Sequence, residues 1–169
     1  NMEPVRVAVD FGKKHGIKAL FLKSKLKLQG LDNDYDYKEW YDLTKPDEEE
    51  LCRQKQDTLP VSPLLSIVIP AYKTPEKYLR EMMDSILAQT YDHWEVCVAN
   101  GSPKGEGGTV EKVMNWYSKR DNRFRCENLG GNRGISGNTN AAVAMARGEY
   151  IVLADHDDTL PEHALYEVA

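Results

Sequence analysis

Apolar runs of strand length alternate with helix-like segments from residue 64 onward, and this alternation most restricts the possible folds. LLSIVIP (64–70) is a continuous, β-branched run, which is typical of a strand buried on both faces. WEVCVA (94–99) and EYIVLA (149–154) repeat this pattern, while RFRCEN (123–128) is less apolar and is expected nearer an edge. Strands separated by helices at this spacing predict an α/β fold with a parallel sheet.

Three helices are expected between these strands. In the first, Thr74 is predicted as the N-cap and Pro75 as the first helical residue. Its apolar residues recur every four positions and predict one buried stripe: Tyr78, Leu79, Met82, Met83, Ile86 and Leu87. The second helix is expected over roughly 109–119, and the third follows the glycine- and asparagine-rich loop GGNRGISGN (130–138).

Residues 1–60 are charged and helical in pattern, and they predict an N-terminal helical extension to a domain formed by residues 61–169. Within them, TKPDEEELCRQKQ (44–56) predicts a helix with acidic residues at the positive end of its dipole. Lysines crowd residues 13–27, and residues 32–50 are acidic. Both blocks are interpreted as solvated surface, with peripheral contact of the lysines to anionic lipid as the alternative.

Composition excludes several classes of protein. A net charge of −5 over 169 residues argues against a nucleic-acid partner, and the longest apolar runs are too short to span a bilayer. The three cysteines have no paired spacing, which favours reduced thiols in a cytosol. Cys97 lies within a strand pattern and is expected in the core.

Ligands of open parallel sheets bind beyond the carboxyl ends of the strands. That rule selects four segments, PAYKTP (70–75), NGSPKG (100–105), NLGGNRGISGN (128–138) and DHDDTL (155–160). All four are rich in glycine, asparagine, aspartate or proline, as the lining of a crevice for a polar ligand should be.

The last of these segments places Asp155, Asp157 and Asp158 within four residues. Their carboxylates repel one another unless a cation lies between them. Oxygen ligands suit Mg²⁺ or Mn²⁺, which commonly use one or two carboxylates together with substrate phosphates. His156 is expected to point away from such an ion. In the alternative interpretation the acids are solvated, and Asp158 or Thr159 caps the next helix.

Two classes of enzyme place Asp-x-Asp after an apolar strand. In an aspartate-nucleophile phosphatase, Asp155 would be the nucleophile and Asp157 the acid/base. That motif belongs to an opening strand, whereas here three βα units precede it, so this interpretation is weak. The other class is the metal-dependent glycosyltransferases. A dinucleotide-binding oxidoreductase is disfavoured because no GxGxxG follows the first strand.

From LSIVIPAYKTPEKYL (65–79) through NRGISGNTNAAVAMARGEYIVLADHDDTLPEHAL (132–165), the sequence closely resembles the family 2 glycosyltransferases. This resemblance rests on four motifs in the right order and covers roughly residues 64–169. It implies the GT-A fold, a mostly parallel, Rossmann-like sheet flanked by helices. It also implies that residues 61–169 are the nucleotide-sugar-binding half of such a domain, truncated after the Asp-x-Asp motif.

The resemblance implies that Pro70, Ala71 and Tyr72 hold the nucleotide base, with the Tyr72 ring against it. Asn100 occupies the position where the family usually has the aspartate of an Asp-Gly-Ser turn. Its amide oxygen can still accept a hydrogen bond from the base, but it adds no charge. This departure affects the expected affinity or base preference and leaves the expected fold unchanged.

The resemblance also assigns roles to later residues. Asn132 and Gly134 match an Asn-x-Gly loop beside the base and ribose. Asp157 would bind the metal, Mn²⁺ or Mg²⁺, directly. Asp155 would contact the ribose or a metal-bound water, as a donor-binding and metal-site residue.

The implied reaction is an inverting displacement at the anomeric carbon of a UDP- or dTDP-linked sugar, with a glycan as acceptor. A carboxylate base would deprotonate the acceptor hydroxyl. Base and acceptor site are expected beyond residue 169, so this chain is expected to bind donor with little or no transfer. The family suggests polysaccharide biosynthesis in the cytoplasm, including the inner face of the membrane.

Two further expectations stay open. Pairing of a sheet edge between copies of the chain would give a homo-oligomer. The alternative to an enzyme is a non-catalytic nucleotide- or metal-binding module, or an assembly module.

Overall fold

The computed structural model describes residues 37–103 and 108–169. The chain divides into two compact units, Asn1–Asp47 and Glu48–Ala169. In the first unit the structure describes residues 37–47, which contain helix α1, Tyr37–Thr44. The predicted lysine block at residues 13–27 lies outside the described residues. Among the described helices, none is long and apolar enough to cross a membrane.

The second unit is an α/β domain, as predicted. Its elements, in chain order, are α2 Glu48–Gln56, β1 Leu65–Ala71, α3 Glu76–Leu87, β2 Trp94–Asn100, α4 Gly108–Ser118, β3 Phe124–Asn128, α5 Gly134–Met145, β4 Tyr150–Leu153 and α6 Ala164–Val168. All strand pairs are parallel, and the order across the sheet is β3-β2-β1-β4. The less apolar strand β3 lies at one edge, which confirms its predicted position.

Helices cover both faces of the central strands, and β1 is accordingly apolar apart from Ser66. Ile67 and Ile69 face the core formed with α3, α4 and α6, while Val68 packs with Ala142 of α5 on the other face. Cys97 of β2 is fully buried, as predicted. The alanines of α5 have short side chains, so the backbone of this helix can lie close to the sheet.

The buried stripe of α3 is narrower than predicted. Leu79, Met82, Met83 and Ile86 are buried, but Tyr78 and Leu87 are each 44% exposed. Residues at i, i+3, i+4 and i+7 share one face of a helix, and the two exposed residues lie at the margins of that face.

The prediction that the strand at 149–154 is buried was wrong. Leu153 is 68% exposed and Tyr150 is 61% exposed. Strand β4 lies at the sheet edge and pairs with β1, while α5 packs on β1 and β2. Of its side chains only Val152 packs partly against the core.

Two predicted helix caps were also wrong. The N-cap of α3 is Pro75, with ψ 139°, and its carbonyl accepts a hydrogen bond from Leu79 N–H. Thr74 is therefore outside the helix. Helix α6 begins at Ala164 after His163, not after Asp158 or Thr159.

Tertiary hydrogen bonds explain the late start of α6. Ser85 Oγ accepts Leu160 N–H at 3.1 Å, and Gln89 receives Leu165 N–H while donating to Pro161 O. These bonds to the end of α3 hold residues 160–165 in place and satisfy backbone groups that a helix would otherwise use.

A buried carboxylate stabilises the sheet at the amino-terminal ends of its strands. Glu95 accepts hydrogen bonds from Ser66 Oγ at 2.7 Å, Arg147 N at 2.6 Å and Arg125 Nη2 at 2.6 Å. Arg125 also donates to Met145 O, the end of α5. Burial alone would raise the pKa of Glu95, but these hydrogen bonds and the arginine charge outweigh it and lower the pKa.

At the same ends of the strands, the close packing leaves room only for glycine at position 148. A methyl group there would collide with Leu64 O and Ser66 Oγ. Gly148 N–H instead donates to Ser66 Oγ at 2.8 Å, so β4 starts directly beside β1.

Replacing Glu95 by glutamine should lower the free energy of unfolding by about 2 kcal/mol at neutral pH, because Arg125 loses a carboxylate partner inside the protein. Since the folded-state pKa lies below the ordinary 4.5, this stabilisation is complete above that pH and declines as pH falls through the folded-state pKa. Urea unfolding at neutral pH and at about pH 4 measures both effects.

Glu127→Gln is the matched control, since Glu127 is exposed on β3. It should change the free energy of unfolding by less than about 0.5 kcal/mol. Equal losses in the two variants would contradict a special role for Glu95.

Candidate functional site

The segments that the sequence selected follow the carboxyl ends of the strands, except that residues 104–105 of the second segment lie outside the described residues. From β1 the chain moves outward to β2 and β3, then returns to place β4 on the other side of β1. Such a reversal opens a crevice between the two loops that leave in opposite directions. Pro70 and Tyr72 lie at the end of β1, and Asp155 follows β4, so both borders of this crevice carry predicted site residues.

Strand β4 is shorter than β1, and the difference forms a step. Leu153 pairs with Val68, whereas β1 continues to Ala71. A cavity of about 400 Å³ lies at this step. Its lining is an apolar floor with acidic and hydroxyl groups: Val68, Pro70, Ile135, Thr139, Leu153, Ala154, Asp155, Asp158, Thr159 and Leu160. Pro70 and Asp155, two predicted donor-binding residues, are thus brought to one cavity.

The loops after β1 and β2 are joined by two hydrogen bonds, one between backbone groups and one to a serine hydroxyl. Gly101 N–H donates to Ala71 O at 2.8 Å, and Lys73 N–H donates to Ser102 Oγ at 2.9 Å. Ala71 is fully buried, backbone included, so it can support a site only from beneath the surface. The Tyr72 ring is 40% exposed, with Lys73 Nζ 5.6 Å from its centre. That ring is open to stacking by a planar ligand.

Asn100 is 2% exposed, and both ends of its amide have protein partners. Its Oδ1 accepts Ser102 N–H at 3.1 Å, and its Nδ2 donates to Asn128 Oδ1 at 2.8 Å. The backbone N–H fixes which end is oxygen. A bond from a base to this oxygen would use its second lone pair.

Gly134 has φ of 75°, a left-handed conformation that favours glycine. Its N–H donates to Asn132 Oδ1 at 2.9 Å, so the predicted Asn-x-Gly pair forms a closed turn. The same oxygen accepts Asn138 Nδ2 at 2.9 Å. Sequence reasoning missed Asn138, although it lies four residues before the sheet-facing Ala142 and is the polar exception on that face.

The aspartates form an exposed turn at the end of β4. Asp155, Asp157 and Asp158 are exposed, and Asp158 N–H lies 3.5 Å from Asp155 O. Nδ1 of His156 is buried and has no hydrogen-bond partner among the described residues, and it lies 3.7 Å from Asp157 Oδ1. Within the described residues, no group of three or more histidine, cysteine, aspartate or glutamate side chains could hold a metal on its own.

The donor set still fits a hard divalent cation. Exposed carboxylate oxygens are the ligands that Mg²⁺ and Mn²⁺ prefer, and one or two of them suffice when a phosphate ligand supplies the rest. Asp157 with Asp155 are the residues that could hold such an ion.

Comparison with known proteins gives matches over this same region. The model described as "Glycosyl transferase family 2" matches residues 66–169. Glycosyltransferase GlyG of Streptococcus pneumoniae is 31% identical over 105 residues, which are 62% of this chain and 34% of GlyG. EpsJ of Bacillus subtilis, named as an uncharacterized glycosyltransferase, is 38% identical over 97 residues, 57% of this chain and 26% of EpsJ.

Among solved structures, the crystal structure of S. aureus TarS aligns with a TM-score of 0.51 at 25% identity, covering 62% of this chain and 18% of TarS. The matched stretch spans only 10% to 34% of the length of the first curated relatives.

Two buried threonines, one before α3 and one after it, should respond differently to loss of their hydroxyl groups. Thr74 Oγ1 has no hydrogen-bond partner in the described residues, whereas Thr90 Oγ1 donates to Gln54 Oε1 at 2.8 Å. Thr74→Val should leave the free energy of unfolding unchanged or raise it by up to about 1 kcal/mol. Thr90→Val should lower it by about 1 to 2 kcal/mol, because buried Gln54 loses its donor.

Urea unfolding of both variants under the same conditions provides the comparison. A loss for Thr74→Val as large as that for Thr90→Val would mean that the Thr74 hydroxyl has a stabilising partner.

Proposed function

This chain belongs to glycosyltransferase family 2, and from that membership we propose that residues 61–169 bind the nucleotide diphosphate of a sugar donor. Residues 66–169 match a glycosyltransferase domain, so the chain is part of a glycosyltransferase-like enzyme. The observation that supports the proposal is that the carboxyl ends of the strands carry an exposed aromatic residue after β1, an asparagine turn between β3 and α5, and exposed carboxylates after β4. These are the groups that a base, a ribose and a metal-bound diphosphate require.

In this proposal the Tyr72 ring stacks against the base, Pro70 forms the wall beneath it, and the buried Ala71 supports that wall from behind. Asn100 shapes the neighbouring loop through Ser102 and offers its remaining lone pair to the base. Asn132 has its oxygen occupied by two N–H donors, so its amide nitrogen is the group left for the ligand.

Asp157, with Asp155, would hold Mn²⁺ or Mg²⁺. When bound, such an ion neutralises the charge that grows on a diphosphate leaving group. The cavity at the step beside Asp155 has room for a polar group next to that position.

The proposed transfer is an inverting displacement. An acceptor hydroxyl oxygen forms a bond to the anomeric carbon while the bond from that carbon to the diphosphate oxygen breaks, and a carboxylate base takes the hydroxyl proton. We assign neither that base nor the glycan acceptor site to any of the described residues. Polysaccharide biosynthesis, a cytoplasmic location at or near the inner membrane face, and association between copies belong to the same proposal.

UDP is the first ligand to test. TarS residues 1–349, which share the fold, have been crystallised with UDP and with UDP-GlcNAc. The choice between UDP and dTDP is part of the experiment, because both bases present the same carbonyl and N–H edge.

The 169-residue chain should bind UDP in the presence of Mn²⁺, and Asp157→Ala should weaken this binding at least about tenfold, or about 1.4 kcal/mol. The reason is that the mutation removes the carboxylate proposed to hold the ion between protein and diphosphate. Isothermal titration of UDP, with Mn²⁺ and then with EDTA, measures the effect.

Asp92→Ala is the matched control, because Asp92 is an exposed aspartate just before the amino end of β2 and the change in charge is the same. It should bind UDP like the unmodified chain. Binding that is indifferent to EDTA and to Asp157→Ala would contradict the metal site, and no binding by the folded chain would contradict the proposed donor site. Metal-dependent binding without any transferase activity in the full-length protein would favour the non-catalytic module.

A further inference from the structure

A buried amide lies beneath the proposed nucleotide site without belonging to any predicted motif. Asn138, in the second turn of α5, is 3% exposed. Its Oδ1 accepts Arg133 N–H at 3.1 Å, and its Nδ2 donates to Asn132 Oδ1 at 2.9 Å. One side chain therefore holds two residues of the loop that precedes α5.

The orientation of both amides follows from backbone donors. Arg133 N–H can only donate, so the Asn138 atom facing it is oxygen and the other end is the NH₂ group. Gly134 N–H likewise requires oxygen at Asn132. With two donors on that oxygen, Asn132 turns its own NH₂ group outward.

Asn138 also contacts the loop after β2. A methyl group on Gly101 would lie 2.6 Å from Asn138 Nδ2 and 2.9 Å from Oδ1, so glycine is needed there for the two segments to touch. Gly101 in turn donates to Ala71 O, and the next residue, Ser102, accepts Lys73 N–H. Asn138 is thus packed between the loop before α5 and the joined loops after β1 and β2.

We propose that Asn138 is a positioning residue for nucleotide binding, which sets Asn132 so that it presents a hydrogen-bond donor to the ligand. This inference rests on the proposed function for its ligand, a nucleotide diphosphate. The ligand group beside Asn132 must then be an acceptor oxygen, from the base, the ribose or a phosphate. The internal packing of the loops by Asn138 and Gly101 exists with or without that ligand.

Asn138→Asp is the sharpest test, because it keeps the size of the side chain and the acceptor for Arg133 N–H. It removes the donor to Asn132 and places two oxygens against each other, which favours rotation of the Asn132 amide. UDP affinity in the presence of Mn²⁺ should fall about tenfold, and Asn138→Ala, which adds no charge, should also weaken it. Asn140→Asp, which adds the same charge at an exposed position of α5, should bind UDP like the unmodified chain.

A second variant approaches the same contact from the other side. Gly101→Ala changes no hydrogen-bonding side chain, but its methyl group would displace the Asn138 amide. It should therefore weaken UDP binding as well. Gly108→Ala is its control, because a methyl group there meets nothing within 4 Å. Thermal unfolding of each variant separates weakened binding from loss of the fold.

Nuclear magnetic resonance of the ligand-free chain provides a readout independent of UDP. The side-chain amide of Asn132 and the backbone amide of Gly134 should shift in Asn138→Asp and Asn138→Ala, and should not shift in Asn140→Asp. If the unmodified chain binds no UDP, the proposed function fails while these resonances still judge the positioning by Asn138. Unchanged resonances, or unchanged UDP affinity in a chain that binds UDP, would overturn the inference.

Discussion

Parallel pairing of β1 with β2 on one side and β4 on the other is the constraint on which the site depends. Leu65 pairs with both Trp94 and Tyr150. The three strands therefore begin in register, and their carboxyl ends lie on the same side of the sheet. Residues that are more than 80 positions apart in the chain thereby border one crevice. The close start of β4 beside β1 depends in turn on the absence of a side chain at Gly148.

Different interactions stabilise the sheet at the amino-terminal and at the carboxyl-terminal ends of its strands. At the amino-terminal ends of the strands a partly buried ion pair, Glu95 with Arg125 at 2.6 Å, holds the end of α5. At the carboxyl edge the loops are held by neutral amides and backbone N–H groups, among them those of Asn100, Asn132 and Asn138. Neutral groups hold loops in place without adding charge beside the exposed aspartates, whose carboxylates stay available for a cation.

The aspartate turn has fixed ends and an exposed centre. Ala154 N–H donates to Val68 O at 3.2 Å, and Leu160 N–H donates to Ser85 Oγ. Between these two anchors, Asp155 and Asp157 remain exposed. A turn held at both ends positions its carboxylates while leaving their oxygens to a ligand, which is the arrangement that an ion shared with a diphosphate needs.

The sequence by itself determined the parallel α/β domain, the strand and helix positions, and the edge that carries the site, because hydrophobic periodicity and loop composition are local properties. Only the tertiary structure decided the exposure of β4 and the start of α6. Helix α5 packs on β1 and β2, which leaves β4 largely exposed, and side chains distant in the chain hydrogen-bond to residues 160–165 before α6. The role of Asn138 was hidden for the same reason. The sequence pattern of a helix does not show which groups an asparagine side chain contacts, and here only folding brings Gly101 and Asn132 against the amide of Asn138.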